Sequence, residues 1–146
     1  MKKRVILLTF ALLMLVGTTI SAVHAESILP RASYYLDAYY IDFEAEGDES
    51  MCLSILVEGV GVQDKIGISY IDIEKKVGNR WTYVDTLYAA DNPYFYELNS
   101  DAYMDDVYIE GTSGVEYRTL VCVYAEKNGG SDSRIITSNS CVCRWF

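Results

Sequence analysis

The chain predicts an all-β fold, a two-sheet sandwich of about seven antiparallel strands in the style of immunoglobulin or fibronectin type III domains. Two observations carry this expectation. Nearly every segment of the mature part alternates apolar and polar side chains with period two, broken by Gly, Asn or Asp about every ten residues. No long stretch shows the helical spacing of apolar residues.

Tyr39, Ile41 and Phe43 alternate with Tyr40, Asp42 and Glu44 as a first strand. Met51, Leu53, Ile55 and Val57 alternate with Cys52, Ser54 and Leu56 as a second, joined to the first through Glu46-Gly47-Asp48. Ile66 to Lys75 and Trp81 to Leu87 flank Val77-Gly78-Asn79, whose Gly and Asn suit a hairpin turn, and supply strands three and four. Asp91-Asn92-Pro93 interrupts the pattern and leads through Tyr94-Phe95-Tyr96, in the longest connection, to a fifth strand from Ala102 to Ile109. After Glu110-Gly111-Thr112-Ser113-Gly114, the residues Tyr117, Thr119, Val121, Val123 and Ala125 share one face of a sixth strand. Asn128-Gly129-Gly130-Ser131-Asp132 reads as a flexible loop, and Arg134 to Cys143 returns as the seventh strand. Tyr117 follows a Gly-containing corner, where such sandwiches use a tyrosine hydroxyl to tie down the preceding turn.

Upstream of the strands, residues 1–25 read as a secretory signal peptide. Lys2-Lys3-Arg4 form a positive start, Val5 to Val16 an apolar stretch, and Val23-His24-Ala25 an export-type cleavage site. Residues 26–146 then form one secreted, extracellular domain, a length that suits a single core. The mature part sets nine Lys and Arg against 21 Asp and Glu, a net charge of −12, which argues against nucleic acid and anionic lipid as partners. No later stretch approaches the roughly 20 apolar residues of a membrane helix, so no membrane insertion is expected after cleavage. All four cysteines, Cys52, Cys122, Cys141 and Cys143, lie in the mature part, and an even count in an exported protein suggests two disulfides. Cys141 and Cys143 point the same way from one strand, so each is expected to reach a distant partner. Cys122 with Cys141 and Cys52 with Cys143 is the preferred pairing, subject to a hairpin register that the sequence leaves open.

The chain resembles a family of small secreted proteins from Gram-positive, gut-type anaerobic bacteria known only as a domain of unknown function. The residues that carry the resemblance are Ala32-Ser33 with the Tyr-rich first strand, Asp64-Lys65-Ile66-Gly67-Ile68, Trp81-Thr82-Tyr83-Val84, Tyr108-Ile109-Glu110-Gly111-Thr112, Tyr117-Arg118, Tyr124-Ala125 and Gly129-Gly130-Ser131-Asp132-Ser133-Arg134. The resemblance spans most of the mature chain, rests on structural motifs and implies no activity. The four cysteines depart from the family's commoner cysteine-poor pattern.

Cleavage at Ala25 removes His24, the only histidine, and with it the usual general base near neutral pH. Ser and Thr nucleophiles have no visible base, and oxidised cysteines would not serve as nucleophiles. The chain is therefore expected not to be an enzyme and to need no cofactor. Asp42, Glu44, Glu46, Gly47 and Asp48 imitate the opening of a calcium loop, but Leu53 stands where the bidentate carboxylate belongs, so an acidic strand face is the expectation. Asp101, Asp105, Asp106 and Glu110 form a second acidic cluster, and nothing in their spacing sets one carboxylate across a cleft from another. No metal site is expected from either. The aromatic residues are the remaining signal. Trp81 and Tyr83 share a strand face, and Tyr94, Phe95 and Tyr96 sit in the long connection, where consecutive aromatics would not all point inward. Core filling is the commoner duty of any one such ring. Together the five are the candidate binding residues for an unknown protein or glycan, because Tyr and Trp pair an apolar face with a polar tip. A generic structural secreted protein is the third reading.

Overall fold

The computed structural model describes residues 33–146. The proposed signal peptide lies outside the described residues. Among the described residues, seven antiparallel strands form one curled sheet: β1 (Leu36–Gly47), β2 (Ser50–Val77), β3 (Arg80–Tyr88), β4 (Tyr96–Glu110), β5 (Glu116–Lys127), β6 (Gly130–Thr137) and β7 (Cys141–Val142). A 3-10 turn, Pro93–Phe95, precedes β4.

The backbone of the architecture is β2, which takes the place of the separate second and third strands expected from the sequence. Its first half pairs with β1 on one side and with residues 102–110 of β4 on the other. Its second half pairs with β5 on one side and with β3 on the other, next to the first residues of β4. Between the halves the β2–β4 register jumps from Glu58 to Gln63. Gly61 takes a φ of +67° here, a left-handed conformation that glycine adopts without a Cβ penalty. Gln63 holds this corner from within: it is fully buried, and its Nε2 donates to the carbonyls of Val60 and Gly61, each at 3.0 Å. The glycines that read as breaks in the sequence thus bend a strand without ending it.

Period-two alternation places Phe43, Met51, Leu53, Ile55, Ile66, Ile68, Ile71, Val107, Val121 and Val123 in one buried cluster, on the inner face of the curl. The curl closes where β1 meets the segment between β6 and β7. There the Asn139 side chain accepts from the Phe43 N–H through Oδ1 and donates to the Phe43 carbonyl through Nδ2, both at 2.9 Å. One side chain thereby imitates a neighbouring strand on the open edge of β1. Tyr117 is buried as expected, and its hydroxyl accepts from the Thr112 N–H at 3.1 Å, pinning the loop before β5.

Two other expectations are corrected. The loop from Asn128 to Asp132 is a tight turn, with Asn128 and Gly129 at φ +54° and +78°, and β6 already begins at Gly130. The disulfides are not formed: all four thiols are free. The Cys122–Cys141 pairing fails on register. Cys141 lies opposite Tyr117, five residues along an extended strand from Cys122, or about 17 Å at strand rise, well beyond disulfide reach. The Cys52–Cys143 pairing fails on facing. Cys52 alternates with the inward Met51 and Leu53 and points outward near Tyr108 and Asp106, whereas Cys143 is fully buried in the core.

Candidate binding face

The outer face of β3, β2, β5 and β6, with the start of β4, gathers Tyr70, Trp81, Tyr83, Tyr88, Tyr96 and Tyr124, and the strand register sets them in rows. Tyr70 of β2 lies between Tyr88 of β3 and Cys122 of β5, and Gly67 lies between Tyr96 of β4 and Tyr124 of β5. At the other end of the face Glu74 lies between Tyr83 and Arg118, and Lys76 opposite Trp81. Tyr70, Gly67, Glu74, Arg118, Cys122 and Tyr124 alternate with buried residues of their own strands and project away from the core, and register sets Trp81, Tyr83, Tyr88 and Tyr96 beside residues of that same side. Gly67 is required where it stands. Its φ is +149°, and a Cβ would lie 2.1 Å from the carbonyl oxygen of Phe95, which the 3-10 turn rests on the sheet.

Trp81 is half-buried beneath the Arg118 guanidinium, which lies 4.5 Å from the ring centroid and forms an ion pair with Glu74 at 2.7 Å. Lys76 approaches the same ring at 5.6 Å and pairs with Glu116 at 2.6 Å, which holds the Glu116 carboxyl below its usual pKa. Tyr83 is 61% exposed and Tyr88 53% exposed. The Thr86 hydroxyl, which donates to Asp72, lies 3.1 Å from the Tyr83 hydroxyl. Lys65 Nζ sits 3.6 Å above the Tyr96 ring, and Tyr96 meets Tyr124 edge to face at 6.0 Å. Burial, followed by the neighbouring Cys122 and Asp72 charges, pushes the Tyr70 phenol up, and burial with the bond to Glu126 does the same for Tyr124. Between the end of β3 and the start of β4 an open groove of about 610 Å³ is lined by Lys65, Ser69, Tyr88, Pro93, Tyr96 and Leu98.

Of the five aromatics singled out by sequence, Trp81, Tyr83 and Tyr96 belong to this face. Tyr94 is 59% exposed on the 3-10 turn, with its hydroxyl donating to Asn92 at 2.8 Å. Phe95 is a correction: it is fully buried in the core, with Tyr94 packed edge-on against it at 5.2 Å. The segment does not point outward as a unit because a 3-10 turn rotates successive side chains by a third of a turn, sending the middle ring inward. Tyr70, Tyr88 and Arg118 complete the face and were not singled out, although the alternation of Tyr70 with Ile71 and of Tyr88 with Leu87 was there to find them.

The two acidic clusters converge elsewhere. On the outer face of β1, β2 and β4, Asp42 and Asp106 flank Ser54 in one row, with the Ser54 hydroxyl donating to Asp106 at 2.7 Å. Among the described residues, no group of three or more His, Cys, Asp and Glu is placed to hold a metal ion. Comparison of the chain with protein-family models, with curated proteins and with solved structures finds no match.

Proposed function

We propose that the protein is a non-catalytic, secreted binding protein that docks a protein partner on the outer face of β3, β2, β5 and β6. The observation that carries this reading is the gathering of Trp81, Tyr83, Tyr88, Tyr96 and Arg118 on one side of the sheet. Tyr, Trp and Arg are the residues that protein interfaces enrich and that dominate their binding energy. The Trp81 and Tyr96 rings each carry a cation over one face, which favours an interface built on ring edges and charge over a bare stacking platform.

A carbohydrate ligand is the second reading. Tyr83 and Tyr88 form an exposed row on β3, and the groove beside Tyr88 and Tyr96 adjoins it. The finer fold reading, a sandwich of immunoglobulin or fibronectin type III style, draws support from the Tyr117 tie to Thr112. Secretion, and membership in the family of secreted proteins named above, rest on the charged, apolar and small-residue pattern of residues 1–25 and on the shared motifs.

Parallel screening on a glycan array and against extracellular protein extracts separates the two ligands. Folded Tyr83→Ser and Tyr88→Ser variants report on the face. Retention of a protein that the variants lose supports the first reading, and saturable glycan binding that the variants lose supports the second. Binding that both variants keep removes this face from the function.

A further inference from the structure

The second outer face, formed by β1, the first half of β2 and residues 102–110 of β4, is chemically opposite to the first. No Lys or Arg occurs between residues 36 and 62 or between residues 81 and 117, so every charged side chain that these three segments contribute is a carboxylate. Strand register orders the face. Tyr40, Leu56 and Met104 form an apolar row across three strands. One row away stand Asp42, Ser54 and Asp106, and beyond them Glu44, Cys52 and Tyr108. On the opposite side of the apolar row lies Glu58, between Ala38 and Ala102. The apolar row is not core: Tyr40 is 55% and Met104 79% exposed, and Tyr108 two rows away is 66% exposed. Exposed apolar surface rimmed by charge of one sign marks an interaction site.

We propose that this face docks a cationic protein segment in extended conformation, with an apolar side chain on the Tyr40, Leu56 and Met104 row and Lys or Arg residues two positions to either side. The spacing follows from strand geometry. Residues two apart on a strand are about 7 Å apart on one face, which is the separation of the carboxylate rows from the apolar row. An extended segment with apolar and basic residues in turn at every second position presents the same repeat on one face. Charge complementarity selects the partner's sign and speeds encounter, while the apolar row distinguishes such a segment from any polycation. This surface is separate from the face of the proposed function, so either can fail without the other.

The test measures fluorescence anisotropy of a labelled peptide that repeats lysine, serine, leucine and serine, titrated with the purified protein. Control peptides carry glutamate for lysine or serine for leucine. Saturable binding of the first peptide alone is expected, weakening with added salt and falling at least tenfold in Met104→Lys, whose exposed position leaves the fold intact by circular dichroism. Asp42→Asn combined with Asp106→Asn lowers the affinity several-fold, and Tyr83→Ser with Tyr88→Ser leaves it unchanged. Four results overturn the proposal: absence of saturable binding, equal binding of the leucine-free peptide, indifference to Met104→Lys, or self-association of the protein through this face in place of peptide binding.

Discussion

At the residue scale the aromatic and sulfur side chains divide into those that build the core and those that leave it. Phe95 and Tyr94 are adjacent yet opposite in fate. Phe95→Ala is expected to lower stability by about 3–5 kcal/mol, as for a fully buried aromatic, and Tyr94→Ala by less than about 1 kcal/mol, both read from urea unfolding. Similar costs at the two positions would contradict the inward placement of Phe95. The thiols also follow from position. Burial pushes Cys52, Cys122 and Cys143 above the usual thiol pKa and Cys141 to about 11, with the neighbouring Cys143 contributing. Thiol titration of denatured, unreduced protein is expected to find four reactive groups, with slow alkylation of the native protein at pH 7–8. A count of zero would restore the two disulfides that the even cysteine number suggests.

Elements were legible where period two ran unbroken and obscure where the chain bent. The inward sets of β1, β5 and the first half of β2 follow directly from alternation, and the Tyr117 tie from its place after a glycine corner. The continuity of β2 was hidden because Gly59 and Gly61 look the same in sequence whether they end a strand or bend it, and the difference lies in the distant Tyr35 carbonyl and the buried Gln63 amide that hold the corner. The outer aromatic face was half legible: alternation gives its side of each strand, but only register shows which rings share a row. Asn139 had no signal at all, since its partner is the backbone of Phe43, 96 residues earlier. Asn139→Ala is expected to cost about 1–2 kcal/mol, because it removes two hydrogen bonds and opens the edge of β1. The amide of Phe43 should then exchange faster than those of its neighbours, and uniform exchange along β1 would contradict the clip.

For the molecule as a whole, one curled sheet separates two chemistries, a face with no cation on β1, the first half of β2 and residues 102–110 of β4, and a face of aromatic rings with paired cations on β3, the second half of β2, β5 and β6. The common direction of the perturbed phenols and thiols predicts how this molecule responds to alkali. Tyr70, Tyr103 and Tyr124 are raised above 10.0 and the four thiols above 9.0, in each case first by burial, so the fold favours the neutral forms. A group raised in the folded state keeps its full contribution below the unfolded value and loses it as pH climbs toward the folded one. Stability is therefore expected to hold up to about pH 9 and to fall steadily above it in pH-dependent thermal melts. Stability rising from pH 9 to 11 would contradict the burial of these groups.

Docking of a partner on the aromatic face is tested most directly by comparative capture with the immobilised protein from extracellular extract. The wild type and the Met104→Lys variant are set against Tyr83→Ser and Tyr88→Ser, each first shown to melt cooperatively. The expected result is a protein retained by the wild type and by Met104→Lys and lost from both tyrosine variants. Equal retention by all four would contradict it.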